Sequence, residues 1–308
     1  MMIKNIKIAA LLVVYRDKIA ATNCINALLK QDYALDKVVV VDNSEEKVFN
    51  LNSFEDKRIV IIAAEENFGV AGGLLLGFEY AIKHGIDWCW TFDQDSEPYT
   101  NALSELINQL ELIQVKNEKI GIIASTGISR LYNTLYSGNY AKWLRHKKPL
   151  NRRKATFECD LVLTAGSLTN MIFIKEFGAT AKNFFIDWVD FELCMRMRKN
   201  KYKVFSCQTS FYSHQIGGDE ILYSKGERDE KNINYLRFYC SIRNATYVIC
   251  YLSSGCRLFM YLMYFLSREY LKIMFDSNSR CLFFLGVYHG IIKKINNPVV
   301  VLNSEKKG

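Results

Sequence analysis

The chain has 308 residues, of which 50% are hydrophobic and 23% are charged, and its formal net charge is +8. This length buries a sizeable core, and the composition excludes a disordered chain. No segment has the ~20 uncharged apolar residues of a membrane-spanning helix. Nine scattered cysteines without a C-x-x-C pair argue against a zinc site or a disulfide framework and indicate a reducing compartment. The apolar run 7–15 lacks a small-residue cleavage site, so we expect no signal peptide and a cytoplasmic location.

The first hundred residues alternate apolar runs with helix-like segments. Strands are predicted at 6–15, 36–44, 58–67 and 87–95, and helices at 18–31 and 70–85. Continuous apolar runs are typical of parallel strands that are buried on both faces. Their alternation with helices predicts an α/β fold with a mostly parallel sheet and helices on both faces. Ligands bind beyond the carboxyl ends of such strands.

The four predicted strands all end in polar or glycine-bearing segments, at 15–16, 42–44, 67–69 and 93–95. We expect these ends to meet at one edge of the sheet. Each also has a purely structural interpretation, since Asp-Asn-Ser at 42–44 is ordinary turn chemistry. The loop N-F-G-V-A-G-G at 67–73 opens a helix, where backbone amides can meet a phosphate, but it is neither G-x-G-x-x-G nor a Walker loop.

The segment T-F-D-Q-D-S-E-P at 91–98 places three carboxylates, Asp93, Asp95 and Glu97, at every second position. On a strand these side chains would share one face and repel each other. A hard cation removes that conflict, because Mg²⁺ and Mn²⁺ take carboxylate oxygens together with substrate phosphates. The alternative is a solvated strand edge, since such a triplet is common by chance.

Several further stretches resemble the family 2 glycosyltransferases of GT-A fold, and within them the rhamnosyltransferase-like group. The resemblance covers roughly residues 6–245. It rests on VVVVDNS (38–44), ENFGVAGGLLLGFEYA (66–81), WTFDQDSEP (90–98), TAGSLTNMIF (164–173), FFIDWVDFELCMRMRKNKYKV (184–204), SHQIGG (213–218) and YCSIRN (239–244). The glycine loop followed about twenty residues later by D-Q-D-S is far more specific than the triplet alone.

The resemblance implies a nucleotide-sugar site and a metal site. Asp93 and Asp95 match the metal-binding D-x-D, with Asp95 the more direct ligand, and His214 matches a histidine that completes the metal shell. A lone histidine outside such a motif is more often structural. The residues implied in binding the nucleotide-sugar are Tyr15, Arg16, Asp42, Asn67, Gly72, Gly73 and Asp93, with Asp42 recognising the base.

The resemblance also implies a catalytic base at Asp190. Asp187 lies three residues earlier, so both acids would face the site if 187–190 is helical. Asp187 alternatively is an acid favoured by the helix dipole at an N-terminus. Ser167 is implied as an acceptor contact, and its structural alternative is a plain turn serine.

The C-terminal quarter carries the whole charge excess. Residues 231–308 hold eleven Lys or Arg and three acids. We therefore predict a catalytic domain at 1–230, with donor binding at about 1–98 and the acceptor side at about 99–230, followed by a helical region. Within 257–276 a helix would set a wide apolar face beside a basic stripe, as in interfacial helices. Packing against the catalytic domain or in a homodimer is the alternative.

The expected activity is an inverting, Mg²⁺- or Mn²⁺-dependent sugar transfer at the inner face of the cytoplasmic membrane. The resemblance implies L-rhamnose moving from dTDP-rhamnose to a polyprenyl-diphosphate-linked oligosaccharide of a surface polysaccharide, an O-antigen or a capsule. The alternatives are a hexosyl or galactofuranosyl transfer from a UDP-sugar, or a catalytically silent binding protein on the membrane surface. The basic run 142–154 suits a solvent loop or the phosphates of the lipid acceptor. Nucleic acid is not expected as a partner, because no recognised binding module is present.

Overall fold

The computed structural model describes residues 6–50, 52–115, 118–129, 135–136, 155–179, 182–214, 235–252, 256–274, 277–296 and 298. The strands are β1 (Ile8–Val14), β2 (Lys37–Asp42), β3 (Ile59–Ala63), β4 (Trp88–Asp93), β5 (Ser96–Pro98), β6 (Ile120–Ser129), β7 (Leu135–Tyr136), β8 (Thr156–Cys159), β9 (Ser167–Asn170) and β10 (Lys203–His214). The α-helices are α1 (Lys18–Leu29), α2 (Gly69–Lys83), α3 (Ala102–Gln114), α4 (Met171–Phe177), α5 (Val189–Lys199), α6 (Tyr235–Tyr251), α7 (Cys256–Ile273) and α8 (Ser277–Ile291), and a 3-10 turn covers Lys182–Phe184.

The predicted parallel strands form one half of a single sheet. The strand order is β3-β2-β1-β4-β9-β6-β10-β5, with β7 beside β6 and β8 beside β10. β1 pairs in parallel with both β2 and β4, and β2 pairs in parallel with β3. The register sets Val14 against Asp42 and Val13 against Asp93. The carboxyl ends of three predicted strands therefore meet at one edge, as expected.

The other half of the sheet is mixed and departs from the mostly parallel arrangement. β9 lies antiparallel between β4 and β6, β10 is parallel to β6, and β5 and β8 pair antiparallel with β10. Apolar patterning reports which residues are buried and carries no information on strand direction. The α/β architecture is as predicted.

Two apolar layers cover the two faces of the sheet. Alternate residues of β1 enter different layers: Ala9 and Leu11 pack with α2 and α5, whereas Ala10 and Leu12 pack with α1 and α3. Both sets are fully buried. Burial on both faces explains why β1 reads as a continuous apolar run rather than an alternating one.

The C-terminal helices pack onto this body. Ala245 and Val248 of α6 belong to the same apolar layer as α2 and α5. α8 lies close against α6, since a Cβ on Gly290 would come within 2.7 Å of the Arg243 carbonyl oxygen. The predicted boundary near 231 and the basic run 142–154 fall outside the described residues. No described helix is long and apolar enough to cross a membrane.

Candidate active site

A cavity of about 1090 Å³ opens at the carboxyl edge of the sheet. Its floor comes from the ends of β1 and β4, and its sides from the start of α2, the segment 185–191, the end of β10, and helices α6 and α7. The acidic residues that line it are Asp93, Asp95, Asp187 and Asp190. One cavity thus holds every acid that was predicted to bind metal or to act as the base.

Asp93, Asp95 and His214 form a compact cluster in this cavity. One potential ligand atom from each residue lies within 4.8 Å of the others. The chain brings them together because β4 ends at Asp93, turns, and returns as β5, which pairs antiparallel with β10 and sets Ser96 against His214. The His214 Nδ1 lies 2.8 Å from the Ser96 Oγ and 3.4 Å from an Asp95 carboxylate oxygen.

The electrostatics of the cluster suit a divalent cation. Burial, and then the negative charge of Asp95, raise the pKa of Asp93 to about 6, while His214 acts in the opposite direction. Two carboxylates and one imidazole are ligands that Mg²⁺ and Mn²⁺ accept. A cation among them would oppose both effects, because its charge favours the ionised form of each carboxylate. The donor set therefore fits the metal site predicted from the sequence.

Asp187 and Asp190 both line the cavity, but they do not share a helix. α5 begins at Val189, and Trp188 before it has a left-handed backbone with φ 63°. Asp187 itself has φ 58° and lies outside the helix, which corrects the helical spacing assumed from the sequence. Its carboxylate pairs with the guanidinium of Arg237 at 3.1 Å. This ion pair ties the Asp187 side chain to α6, which carries Arg237.

Asp190 occupies a different environment at the start of α5. Burial raises the pKa of this carboxyl to about 7, the charge of Asp93 adds to the effect, and a hydrogen bond from the Phe191 amide partly offsets it. A carboxylate with a pKa near neutrality holds a proton strongly enough to accept one and releases it readily. The two acids thus differ in environment, because Asp187 is ion-paired whereas the pKa of Asp190 lies near neutrality.

Polar groups at the ends of β1 and β4 complete the floor of the cavity. Gln94 joins the two ends, because its side chain accepts a hydrogen bond from the Tyr15 amide at 2.7 Å and donates to the Tyr15 carbonyl at 3.1 Å. Asn67 accepts from the Gly69 amide at 2.9 Å and so shapes the turn into α2. Tyr15 and Asn67 line the cavity, as predicted for donor contacts.

Asp42 is not among the described residues that line the cavity. Its carboxylate is fully buried and accepts hydrogen bonds from the amides of Ser44, Val48 and Phe49, at 3.0, 2.7 and 3.2 Å. These contacts close the loop after β2. The next residue, Asn43, lines the cavity instead, and its Nδ2 donates to the Gly69 carbonyl at 2.7 Å.

Four other predicted residues also lie away from the cavity lining. Gly72 and Gly73 are buried inside α2, and a Cβ on Gly73 would come within 2.5 Å of a Val13 methyl, so this glycine serves close helix–strand packing. Arg16 is exposed and pairs with Glu45. Ser167 is fully buried and donates to the Leu163 carbonyl, which matches its structural alternative.

Comparison with known proteins identifies the family. The family model for glycosyl transferase family 2 matches residues 11–177, just over half of the chain. The chain belongs to glycosyl transferase family 2. It is therefore a glycosyltransferase, and the cavity at the carboxyl edge of its sheet is the candidate active site.

Curated relatives of this glycosyltransferase carry two different sugar specificities in their names. Galactofuranosyltransferase GlfT1 of Mycolicibacterium smegmatis is 26% identical over 221 residues, which cover 70% of this chain and 72% of that protein. The dTDP-rhamnosyl transferase RfbF of Shigella flexneri is 26% identical over 194 residues, which cover 62% of this chain and 63% of that protein. These matches share the enzyme class and leave the donor sugar open.

Solved structures support the fold. The structure of S. aureus TarS residues 1–349 in complex with UDP aligns with a TM-score of 0.56 and 13% identity, covering 98% of this chain and 92% of that one. A longer TarS structure aligns over only 44% of its length. At this identity the likeness concerns the architecture alone, and it extends through the C-terminal helices of this glycosyltransferase.

Sequence reasoning missed one part of the candidate active site. The cavity is also lined by Arg237 and Ser241 of α6 and by Tyr264, Phe265 and Arg268 of α7. The apolar and basic composition of their segment predicts an appended region instead. The hydrophobic pattern of α7 allows packing against the catalytic domain, which was the stated alternative, but no sequence feature identifies the cavity as what it covers.

Proposed function

We propose that this glycosyltransferase transfers a sugar with inversion, and that Asp190 is the base. The observation that carries the proposal is the position of Asp190 in one cavity with Asp93, Asp95 and His214. The Asp190 carboxylate takes the proton of the acceptor hydroxyl. The oxygen of that hydroxyl attacks the anomeric carbon from the face opposite the nucleotide. The bond from that carbon to the diphosphate oxygen breaks, and the nucleoside diphosphate leaves with the bonding electrons.

Asp93, Asp95 and His214 would hold a Mg²⁺ or Mn²⁺ ion, which supplies positive charge for the leaving diphosphate. Tyr15 and Asn67 then lie where the nucleotide of the donor would sit. Five other residues were assigned to donor or acceptor contacts from the sequence: Arg16, Asp42, Gly72, Gly73 and Ser167. Those contacts would require the site to rearrange on binding. We propose for these residues the packing and turn roles described above.

The donor that we propose is dTDP-rhamnose, with a lipid-linked oligosaccharide as the acceptor. The likeness to a dTDP-rhamnosyl transferase supports this donor. A galactofuranosyl transfer from a UDP-sugar is the second candidate, supported by the likeness to the GlfT1 proteins. A catalytically silent protein is disfavoured, because a surface that only binds has no use for a base of raised pKa beside a metal-ligand cluster.

We further propose that α7 and α8 rest on an anionic membrane. On α7, Phe259, Met260, Met263 and Leu271 each expose between 45% and 65% of their surface, and α8 adds exposed apolar residues such as Phe284 at 58%. The charge excess of the chain lies in the same quarter. An apolar face with surrounding basic residues matches the headgroup region of an anionic bilayer. This arrangement would hold a lipid-linked acceptor close to the cavity.

The deciding experiment is a donor panel. The full chain is incubated with dTDP-rhamnose, UDP-galactofuranose and other dTDP- and UDP-hexoses, with Mg²⁺, Mn²⁺ or EDTA, and release of nucleoside diphosphate is measured. We expect release from dTDP-rhamnose that needs the cation. Preference for UDP-galactofuranose would replace the donor that we propose, and no release from any donor in the presence of either cation would overturn the catalytic assignment.

A further inference from the structure

The segment that carries Asp187 and leads to Asp190 has an unusual backbone. Within the 183–188 loop, Phe185, Asp187 and Trp188 have φ values of 66°, 58° and 63°. Left-handed conformations are unfavourable for residues other than glycine, and bulky residues adopt them only where the surroundings impose them. Three such residues within four positions therefore require a strong external constraint.

One amide side chain of α6 supplies much of that constraint. The Asn244 Nδ2 donates to the backbone carbonyls of Phe184, Ile186 and Asp187, at 2.8, 2.9 and 3.0 Å. Asn244 is fully buried. Two of these carbonyls lie directly before and after Phe185 and the third belongs to Asp187, so one side chain fixes the direction of the loop on both sides of Phe185.

The preceding residue extends the same contact. The Arg243 guanidinium is fully buried and donates to the carbonyls of Asn183 and Phe184 at 2.6 and 3.3 Å, and to the Asn296 carbonyl at 2.9 Å. Its Nε donates to the Asn244 Oδ1 at 3.0 Å, which orients that amide. No carboxylate is among its hydrogen-bond partners in the described part of the chain. Burying a guanidinium on neutral acceptors is expensive, and it implies a demand for fixed geometry.

The loop is held from two further directions. The Trp188 indole donates to the Ser241 Oγ of α6 at 3.3 Å. On the opposite side, the Ala71 amide at the start of α2 donates to the Phe185 carbonyl at 3.1 Å. Packing of α6 and α2 on both sides thus leaves the loop little freedom at the point where Asp187 and Asp190 enter the cavity.

We propose that Arg243 and Asn244 are positioning residues that set the 183–188 loop and thereby aim Asp190 at the metal cluster. The proposal rests on the function proposed above and extends that function, because it gives α6 a role in positioning the base. The motif S-I-R-N at 241–244 acquires a physical role: Ser241, Arg243 and Asn244 hold the loop, and Ile242 faces the α6–α8 packing. Asp93, Asp95 and His214 lie on other elements and do not depend on this contact.

The test separates turnover from binding. In Asn244→Ala the three carbonyls lose their donor, and we expect kcat for nucleotide release to fall by about 10- to 100-fold, the effect of a misplacement of about 1 Å. Affinity for dTDP with Mn²⁺, measured by calorimetry, should stay within about twofold. Thr246→Val is the matched control: Thr246 is also buried on α6, bonds only to the Ile242 carbonyl among the contacts described, and is expected to lower Tm without lowering kcat.

Arg243→Lys provides a second variant if Asn244→Ala does not fold. Lysine keeps the charge but not the planar fork that reaches Asn183 and Phe184, so the same loss of kcat at constant dTDP affinity is expected. A kcat within twofold of wild type in a folded variant would overturn the proposal. The proposal would also be overturned if kcat and dTDP affinity fell together and Thr246→Val, at the same loss of Tm, showed an equal fall in both. An inactive wild type would instead refute the proposed function.

Discussion

Replacing Asp190 with asparagine should abolish turnover while leaving the donor bound. Asparagine keeps the size of the side chain but cannot accept the proton, and loss of a general base lowers rates by about 10²–10⁴-fold. The donor contacts and the metal cluster lie on other elements, so KM for the donor should change little. Because burial raises the pKa of Asp190 to about 7, wild-type turnover should rise with pH through an acidic limb near pH 7, where the base loses its proton.

The same substitution should stabilise the protein at alkaline pH. The folded-state pKa of about 7 lies above the ordinary value of 3.8, so the folded state binds this proton more tightly than the unfolded state. The free energy of unfolding therefore falls as pH rises from about 4 to about 7, and the full cost is present above pH 7. Three pKa units correspond to about 4 kcal/mol as an upper limit, which water in the cavity reduces. The asparagine side chain of the variant has no charge to bury, so this cost disappears.

Three measurements check this reasoning: the pH profile of kcat, the donor KM, and Tm at pH 5 and pH 8 in EDTA. We expect Asp190→Asn to lose activity and the acidic limb, and to exceed wild type in Tm by a larger margin at pH 8 than at pH 5, where only about a third of the cost is present. Asp187→Asn is the control, since Asp187 is paired with Arg237 and should matter less. A larger loss in Asp187→Asn than in Asp190→Asn would make Asp187 the base, and equal Tm differences at both pH values would refute the burial of an ionised carboxylate.

Three more predictions follow from the site and its supports. Asp95→Ala should abolish both transfer and Mn²⁺-dependent dTDP binding at unchanged Tm, and near-wild-type turnover in this variant or in EDTA would remove the metal assignment. Gly69→Ala should lower both Tm and kcat, because the residue has φ +66° and its Cβ would come 2.3 Å from a carbonyl of the 183–188 loop; Gly85→Ala, at φ +65° with nothing nearby, should lower Tm alone. The full chain should sediment with anionic liposomes at low salt, and the double substitution Met260→Glu with Leu271→Glu should prevent this sedimentation. If the double variant still sediments, or if the wild type stays in solution, α7 makes a protein contact instead.

The parallel half of the sheet was predictable because its signals are local. Each of β1, β2 and β4 is an apolar run that ends at a polar residue or is followed directly by a polar segment, and the rule for parallel crossovers sets those ends on one edge. Asp93 and Asp95 could be assigned to the site on that basis. Strand direction beyond residue 98 could not, because β9 and β10 have the same apolar character in either direction.

The sequence pattern could not decide which of two neighbouring residues at a strand end faces the cavity. Asp42 and Asn43 both suit a turn or a ligand contact, and only the course of the following loop decides between them. That loop returns the amides of Val48 and Phe49 to the Asp42 carboxylate, so Asn43 faces the cavity. Gly73 was ambiguous in the same way, since a glycine near a helix start serves a phosphate or a close strand equally well, and the Val13 side chain fills the space.

The role of α6 shows why a change in composition is a poor guide to a functional boundary. Part of the aromatic excess after residue 231 belongs to exposed side chains of α7 and α8, such as Phe259, Tyr264 and Phe284. The interior face of α6 has a different character, because Ala245 packs beneath the sheet and Asn244 bonds to a loop nearly sixty residues earlier in the chain. Any residue can supply a backbone carbonyl as a hydrogen-bond acceptor. The sequence of the loop therefore does not indicate its contact with Asn244. Helices that are added to a catalytic domain for one purpose can in this way also hold its catalytic groups, and only the folded contacts reveal it.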